Sequence, residues 1–208
     1  IDIDQLNWLP NSHSFWVTEN NNVVVYDVDN LDKSTTVLTQ EQLSKSGFYG
    51  EIEQIVWNDN ATKVLVYTNS KTVWRAKTKG DYWVFDLTTG KGKQLGKDLE
   101  ASSLMFAKFS SDNENVAYVS KHNIYLENLN TGKITPLTND GTDKIINGTF
   151  DWVYEEELAC RDGFRWSPDG SSIAFWRVDA TDTKYHLMIN NTDSLYSYVV
   201  PVEYPKAG

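Results

Sequence analysis

The chain of 208 residues carries 19 Lys and Arg against 29 Asp and Glu, a formal net charge of −10, and 40% of its residues are hydrophobic. A chain of this length and hydrophobic content can bury a sizeable core, which excludes an intrinsically disordered protein. The acidic balance excludes nucleic-acid binding through phosphates and disfavours an anionic membrane surface, because both partners require clustered Lys and Arg.

The sequence contains no membrane or metal signature. No stretch approaches the ~20 consecutive apolar residues of a membrane span, and residues 1–10 lack the basic and apolar regions of a signal peptide. Cys160 is the single cysteine and cannot form an internal disulfide. Because His13, His122 and His186 lie too far apart in the sequence for a metal motif, we expect no metal and no cofactor.

One pattern occurs four times along the chain: an aromatic residue ends a strand, a short polar turn follows, and a second apolar strand begins. The aromatic residues are Trp8, Trp57, Phe109 and Trp166, spaced 49, 52 and 57 residues apart. A period of ~40 to 50 residues built from short strands is typical of β-propeller blades.

Two further strands are predicted in each repeat. Alternating or apolar runs that favour a third strand lie at residues 23–27, 82–87 and 123–129. Short outer strands are predicted at residues 36–38, 93–95 and 134–137. Four antiparallel strands per repeat predict an all-β chain of about four propeller blades, over residues about 6–40, 55–97, 107–138 and 164–204.

Two other architectures use similar strands. Regularly spaced short strands also occur in β-sandwiches, but the repeated turn and aromatic residue favour a propeller. Complete propellers typically contain four to eight blades, so four blades either close by themselves or belong to a larger ring. We favour the larger ring, because four blades are the lower limit of that range.

Residues 139–163 form an insertion, since this linker exceeds the others by about ten to fifteen residues. Its centre predicts one or two helical turns. Asp151 should cap a helix that begins at Trp152, and Gly163 should end it.

Three consecutive carboxylates, Glu155, Glu156 and Glu157, occupy this predicted helix. They form either a solvated acidic face or a pocket for a cation. Neighbouring residues of a helix point about 100° apart, so at most two of the three side chains can converge on one point. Two carboxylates can accept hydrogen bonds from one ammonium, such as the free N-terminus of a peptide.

Arg75 is a second candidate site residue. Residues 71–97 hold seven basic and two acidic side chains. The lysines of this segment are typical of an edge strand protected from aggregation. Arg75 follows Trp74 near the start of a predicted hairpin, where its guanidinium could stack and donate to a carbonyl or carboxylate.

The motif at residues 151–157, Asp-Trp-Val-Tyr-Glu-Glu-Glu, is followed by Phe-Arg-Trp-Ser-Pro-Asp-Gly at residues 164–170. Together they closely resemble the propeller of the dipeptidyl peptidase IV family, within the prolyl oligopeptidase clan. Trp74 and Arg75, ahead of residues 81–86, are similar to a second motif of that family. The resemblance covers essentially all of residues 1–208.

The resemblance implies a fold and an activity. Members have an eight-bladed propeller above an α/β-hydrolase domain, and they release dipeptides from peptides with Pro or Ala at the second position. This chain would be about half of such a propeller, without the catalytic domain. The family motifs imply that Glu156 and Glu157 hold the free amine of the substrate and that Arg75 contacts the carbonyl of its second residue. Glu155 would face outward.

The chain also departs from a complete peptidase. It contains no Gly-x-Ser-x-Gly nucleophile motif and no recognisable triad, so it should be inactive alone. Ala76 and Lys77 replace the hydroxyl- or His-rich continuation expected after Arg75. The alternative is a non-catalytic propeller that binds protein or peptide.

The resemblance further implies a secreted, periplasmic or extracellular protein whose partners are peptides with a free N-terminus and its own α/β-hydrolase domain. The resemblance is also compatible with a homodimer. Glycosylation sequons at Asn60, Asn147 and Asn190 are compatible with such a location.

Overall fold

The computed structural model describes residues 7–206. Residues 1–6 and 207–208, including Leu6 at the start of the first predicted repeat, lie outside this range. The described chain forms eighteen strands and two short helices. Neither helix of this described range is long and apolar enough to cross a membrane.

The first three repeats each form one antiparallel blade of four strands, as predicted. Blade 1 contains β1 (Asn7–Trp8), β2 (Ser14–Glu19), β3 (Asn22–Asp27) and β4 (Asn30–Leu38). Blade 2 contains β5 (Gln54–Trp57), β6 (Lys63–Val73), β7 (Ala76–Asp86) and β8 (Lys91–Gln94). Blade 3 contains β9 (Leu104–Phe109), β10 (Asn115–Ser120), β11 (Asn123–Asn128) and β12 (Ile134–Pro136). Blades 2 and 3 are linked by one backbone pairing, Gly80 with Leu104.

Helix α1 (Gln40–Lys45) lies between blades 1 and 2 and was not predicted from the sequence. Thr39 caps it: the Thr39 hydroxyl accepts from the backbone N–H of Gln42, and the Gln42 side chain accepts from the backbone N–H of Thr39. This capping box is readable in the sequence as Thr-x-x-Gln, so the signal was present. Leu43 of α1 is buried.

Strand β6 shows why consecutive blades depend on each other. Val64 and Val66 pack in a buried cluster with residues of blade 1, whereas Leu65 and Tyr67 pack in a cluster with residues of blade 3. Successive side chains of a strand point to opposite faces, so a strand covered on both faces is hydrophobic at every position. A third cluster joins blade 3 to Phe164 of the fourth repeat. None of these three clusters contains residues of both the first and the fourth repeat.

The fourth repeat does not form the single four-stranded sheet predicted over residues 164–204. Its strands form three separate pairs. The pairs are β13 (Ile145–Asn147) with β16 (Arg177–Asp179), β14 (Phe164–Trp166) with β15 (Ile173–Phe175), and β17 (Tyr185–Asn190) with β18 (Tyr198–Glu203). The change of partner occurs at Trp176, whose N–H donates to Gly163 and whose carbonyl accepts from Gly148. The insertion therefore supplies β13 as a strand partner, besides helix α2 (Trp152–Leu158).

Two of the three glycosylation sequons differ in their exposure. Asn60 is exposed in a turn, whereas Asn147 is fully buried. The Asn147 Nδ2 donates to the His122 carbonyl and to Asp140 Oδ1. A glycan therefore cannot be attached at Asn147 in the folded protein.

Candidate functional site

Helix α2 begins as predicted, because the Asp151 side chain accepts from the Tyr154 N–H at 3.2 Å. It ends at Ala159, which adopts a left-handed conformation with φ of 54°. The prediction that Gly163 ends the helix is wrong. A Cβ on Gly163 would lie only 3.0 Å from the Gly148 backbone, so this glycine allows two chain segments to approach closely.

The three glutamates of α2 have different environments. Glu155 is only 3% exposed, whereas Glu157 is exposed. The expectation that Glu155 faces outward is therefore wrong. Glu155 lies three residues after Trp152 and shares its helix face, and both residues line a cavity of about 490 Å³ beneath the helix.

Burial raises the pKa of the Glu155 carboxyl from its ordinary value of 4.5 to about 7. The positive charge of Arg161 opposes this shift, and the negative charges of Glu156 and Asp151 add to it. Met105, Ile146 and Phe150 are among the apolar walls of the same cavity. Glu155 is thus largely neutral at slightly acidic pH, unlike an exposed glutamate.

Replacing Glu155 with glutamine should make the protein more stable at pH 8 than the wild type. The folded protein binds the Glu155 proton more tightly than the unfolded chain. The stability contributed by this carboxyl is therefore fully present below about pH 4.5 and lost as the pH rises through about 7, a change of about 3 kcal/mol. Thermal unfolding of E155Q and wild type between pH 5 and 8 tests this. E157Q is the control, and equal pH profiles for E155Q and wild type would contradict the prediction.

Arg75 lies at the tip of the long hairpin formed by β6 and β7, rather than near its start. Val73 pairs with Ala76, so Trp74 and Arg75 form a two-residue turn, with Trp74 at a φ of 53°. Ala76 therefore belongs to the first backbone pair after the turn. Its difference from the hydroxyl- or His-rich continuation of the family is compatible with this turn.

The hairpin tip and helix α2 meet at an ion pair. The Arg75 Nε lies 2.5 Å from Glu156 Oε2 and forms an ion pair with it. The Arg75 side chain is 81% exposed, whereas that of Glu156 is 9% exposed. An ion pair with a shielded carboxylate is screened less by solvent than a pair between two exposed groups. The structure therefore brings together two of the three predicted site residues.

A cavity of about 690 Å³ surrounds this ion pair. Its walls include the aromatic rings of Trp74, Trp152 and Tyr204, the last two with ring centroids 5.0 Å apart. Glu157 lies at the next position of α2 and is exposed; it is not among the described residues that line this cavity.

The β17–β18 hairpin and the residues after it contribute His186, Met188, Val202, Tyr204 and Lys206 to the cavity. The sequence predictions did not identify these residues. They belong to no motif that identifies them in the sequence.

Several known proteins are similar to this chain in sequence or in fold. The dipeptidyl aminopeptidase B of Saccharomyces cerevisiae is 29% identical over 194 residues, which cover 91% of this chain and 23% of that protein. A probable dipeptidyl-aminopeptidase B of Penicillium rubens is 32% identical over 164 residues, which cover 76% of this chain and 18% of that protein. The chain thus spans about a fifth of the length of these curated relatives.

The crystal structure of Porphyromonas gingivalis dipeptidyl peptidase 4 superposes on 98% of this chain and 29% of its own, with a TM-score of 0.86 and 24% identity. This likeness concerns the fold and agrees with the propeller blades. The family model for the dipeptidyl peptidase IV (DPP IV) N-terminal region matches residues 58–208, which include the hairpin tip, helix α2 and the cavity between them. The chain therefore belongs to the dipeptidyl peptidase IV family and represents part of its N-terminal region.

Proposed function

We propose that this chain is the substrate-recognition part of a serine exopeptidase that releases X-Pro or X-Ala dipeptides from the N-terminus of peptides. Glu156 and Glu157 bind the free amine of the substrate, and Arg75 contacts the carbonyl of its second residue. The observation that supports this most is the ion pair between Arg75 and Glu156, formed by two elements that are distant in sequence and meet at one cavity.

The chemistry of Glu156 suits an ammonium ligand. Its Oε2 is engaged by Arg75, which leaves Oε1 available as an acceptor. A peptide N-terminus has a pKa near 8 and is mostly protonated at neutral pH. Glu157, one position further along the helix, is exposed. Its carboxylate would approach the substrate amine from the solvent side. Two carboxylates then share the three donors of the ammonium.

The exposure of Arg75 supports its proposed role. The described contact of the exposed Arg75 side chain is the ion pair between its guanidinium and Glu156. The substrate amine would bind the same carboxylate. When the amine engages Glu156, the guanidinium is released to donate its N–H groups to the substrate carbonyl. In the absence of substrate, Arg75 neutralises the Glu156 carboxylate, which avoids an unpaired charge in a partly enclosed cavity.

We propose that the serine nucleophile belongs to an α/β-hydrolase domain of the whole protein, since residues 1–208 lack a Gly-x-Ser-x-Gly motif. A fluorophosphonate should label the whole native protein on a serine outside residues 1–208, and heat denaturation should abolish labelling. Absence of labelling in a folded protein would contradict this proposal. If such a protein still bound peptide, it would be a non-catalytic binding module.

We also propose a homodimer and a secreted, periplasmic or extracellular location. The β17–β18 hairpin pairs with no other described strand and exposes Leu187 by 63% and Ile189 by 67%. An isolated hairpin is marginally stable, so a second copy of the chain would stabilise it by covering this face. Sedimentation of the whole protein should show a dimer that I189E dissociates.

Fractionation of the producing cells tests the proposed secreted, periplasmic or extracellular location.

A further inference from the structure

The hairpin that carries Arg75 extends beyond blade 2 as a distinct arm, residues 71–79. The pairing of β6 with β7 is regular up to Thr68 and Asp81, then breaks, resumes at Lys71 with Lys79, and shifts again before Thr72 pairs with Lys77. Asn69 lies in this break with a φ of 50°. A bulge of this kind bends a strand and changes its twist. The break at Asn69, where the arm leaves the blade, therefore contributes to the direction of the arm.

A buried carboxylate lies at the base of the arm. Asp81 is 8% exposed, and its two oxygens accept different hydrogen bonds. Oδ2 accepts from the Asn69 Nδ2 at 2.7 Å, and Oδ1 accepts from the Ser102 backbone N–H at 2.6 Å. The buried Ser102 hydroxyl donates to the Asn69 carbonyl at 2.8 Å. Asn69, Asp81 and Ser102 form the Asp81 cluster, which connects the bulge to the segment that enters β9.

Further contacts connect the base of the arm to blade 3 and to the arm itself. Gly80, beside Asp81, pairs with Leu104 of blade 3, and a Cβ at Gly80 would lie 2.7 Å from the Thr68 carbonyl oxygen. The Tyr67 hydroxyl donates to the Lys77 carbonyl inside the arm at 3.1 Å. Blade 3 and the arm are therefore connected through a few short polar contacts.

We infer that Asp81 is a positioning residue: it fixes the arm at the angle that brings Arg75 to Glu156. This inference rests on the proposed function of Arg75. Asp81 does not contact the ion pair and would act only through the arm. Each oxygen of Asp81 accepts from one N–H donor, the Asn69 amide and the Ser102 backbone. An asparagine of the same shape would present a donor to one of them.

The test compares D81N with wild type in the whole protein, using a free-amine X-Pro reporter. We expect KM to rise about tenfold, since Arg75 no longer reaches its position, while kcat changes less than KM. The matched control is E127Q. Glu127 is also a buried carboxylate that accepts from a backbone N–H, that of Gly96, and it bonds to Tyr118 rather than to the arm. E127Q should lower the melting temperature with KM unchanged.

A double-mutant cycle with R75A shows whether Asp81 acts through Arg75. In the R75A background, D81N should leave KM unchanged. An equal rise in KM with and without Arg75 would overturn the inference, as would an unchanged KM in D81N when R75A alone raises it. If R75A itself has no effect, the proposed function fails first and this inference with it. If D81N does not fold, N69A serves as the second variant, because it removes an exposed partner of the Asp81 carboxylate. N69A should also raise KM. An unchanged KM in N69A would overturn the inference.

Discussion

Replacing Glu156 and Glu157 together with glutamine should lower kcat/KM of the whole protein at least ~100-fold on a free-amine X-Pro reporter. Glutamine keeps the shape of each side chain and removes the charge that would hold the substrate ammonium. Each lost charge contact should cost a few kcal/mol of transition-state stabilisation, because Glu156 is only 9% exposed and therefore little screened by solvent. Steady-state kinetics on the purified variant measures this loss.

The control for this experiment is E41Q. Glu41 also lies on a short helix and pairs with a cation, Lys45, but both side chains are exposed. Such surface pairs contribute little, so E41Q should keep wild-type kinetics. Unchanged kcat/KM in the double glutamine variant, with wild-type melting temperature, would reject the assignment of this pair.

Replacing Phe85 with alanine should destabilise the propeller by about 3–5 kcal/mol, because it leaves a cavity at the junction of two blades. Phe85 is fully buried on β7, and its ring lies 6.2 Å from that of Phe48, which follows α1. Residues of blade 1 belong to the same cluster. The loss should therefore affect both blades and appear as one lowered melting temperature in calorimetry.

The matched control is F175A, which removes the same side chain from an exposed position on β15. We expect this substitution to change stability by less than about 1 kcal/mol. Equal losses for F85A and F175A would contradict the view that blades are stabilised mainly by the faces they share.

The sequence predicted the blades because their signal is repetitive and local. Each aromatic residue, turn and apolar strand lies within one repeat, and β6 is hydrophobic at successive positions because both of its faces are covered. The start of α2 at Asp151 was predicted for the same reason, since a cap depends on neighbouring residues.

Non-local features could not be predicted in this way. Three consecutive glutamates contain no hydrophobic periodicity, so the sequence cannot indicate which of them a short helix buries; the structure buries Glu155. The change of strand partner at Trp176 depends on β13, a strand of the insertion. Arg75 and Glu156 lie on different elements, and only the family resemblance connected them before the structure showed their contact.

The most direct measurement compares a free-amine X-Pro reporter with its N-acetylated analogue on the whole protein. Wild type should prefer the free amine by at least ~100-fold in kcat/KM, and the variant with glutamine at both Glu156 and Glu157 should lose most of this preference. A wild-type enzyme that cleaves both reporters equally, or a variant that keeps the full preference, would contradict the proposal that these carboxylates recognise the peptide N-terminus.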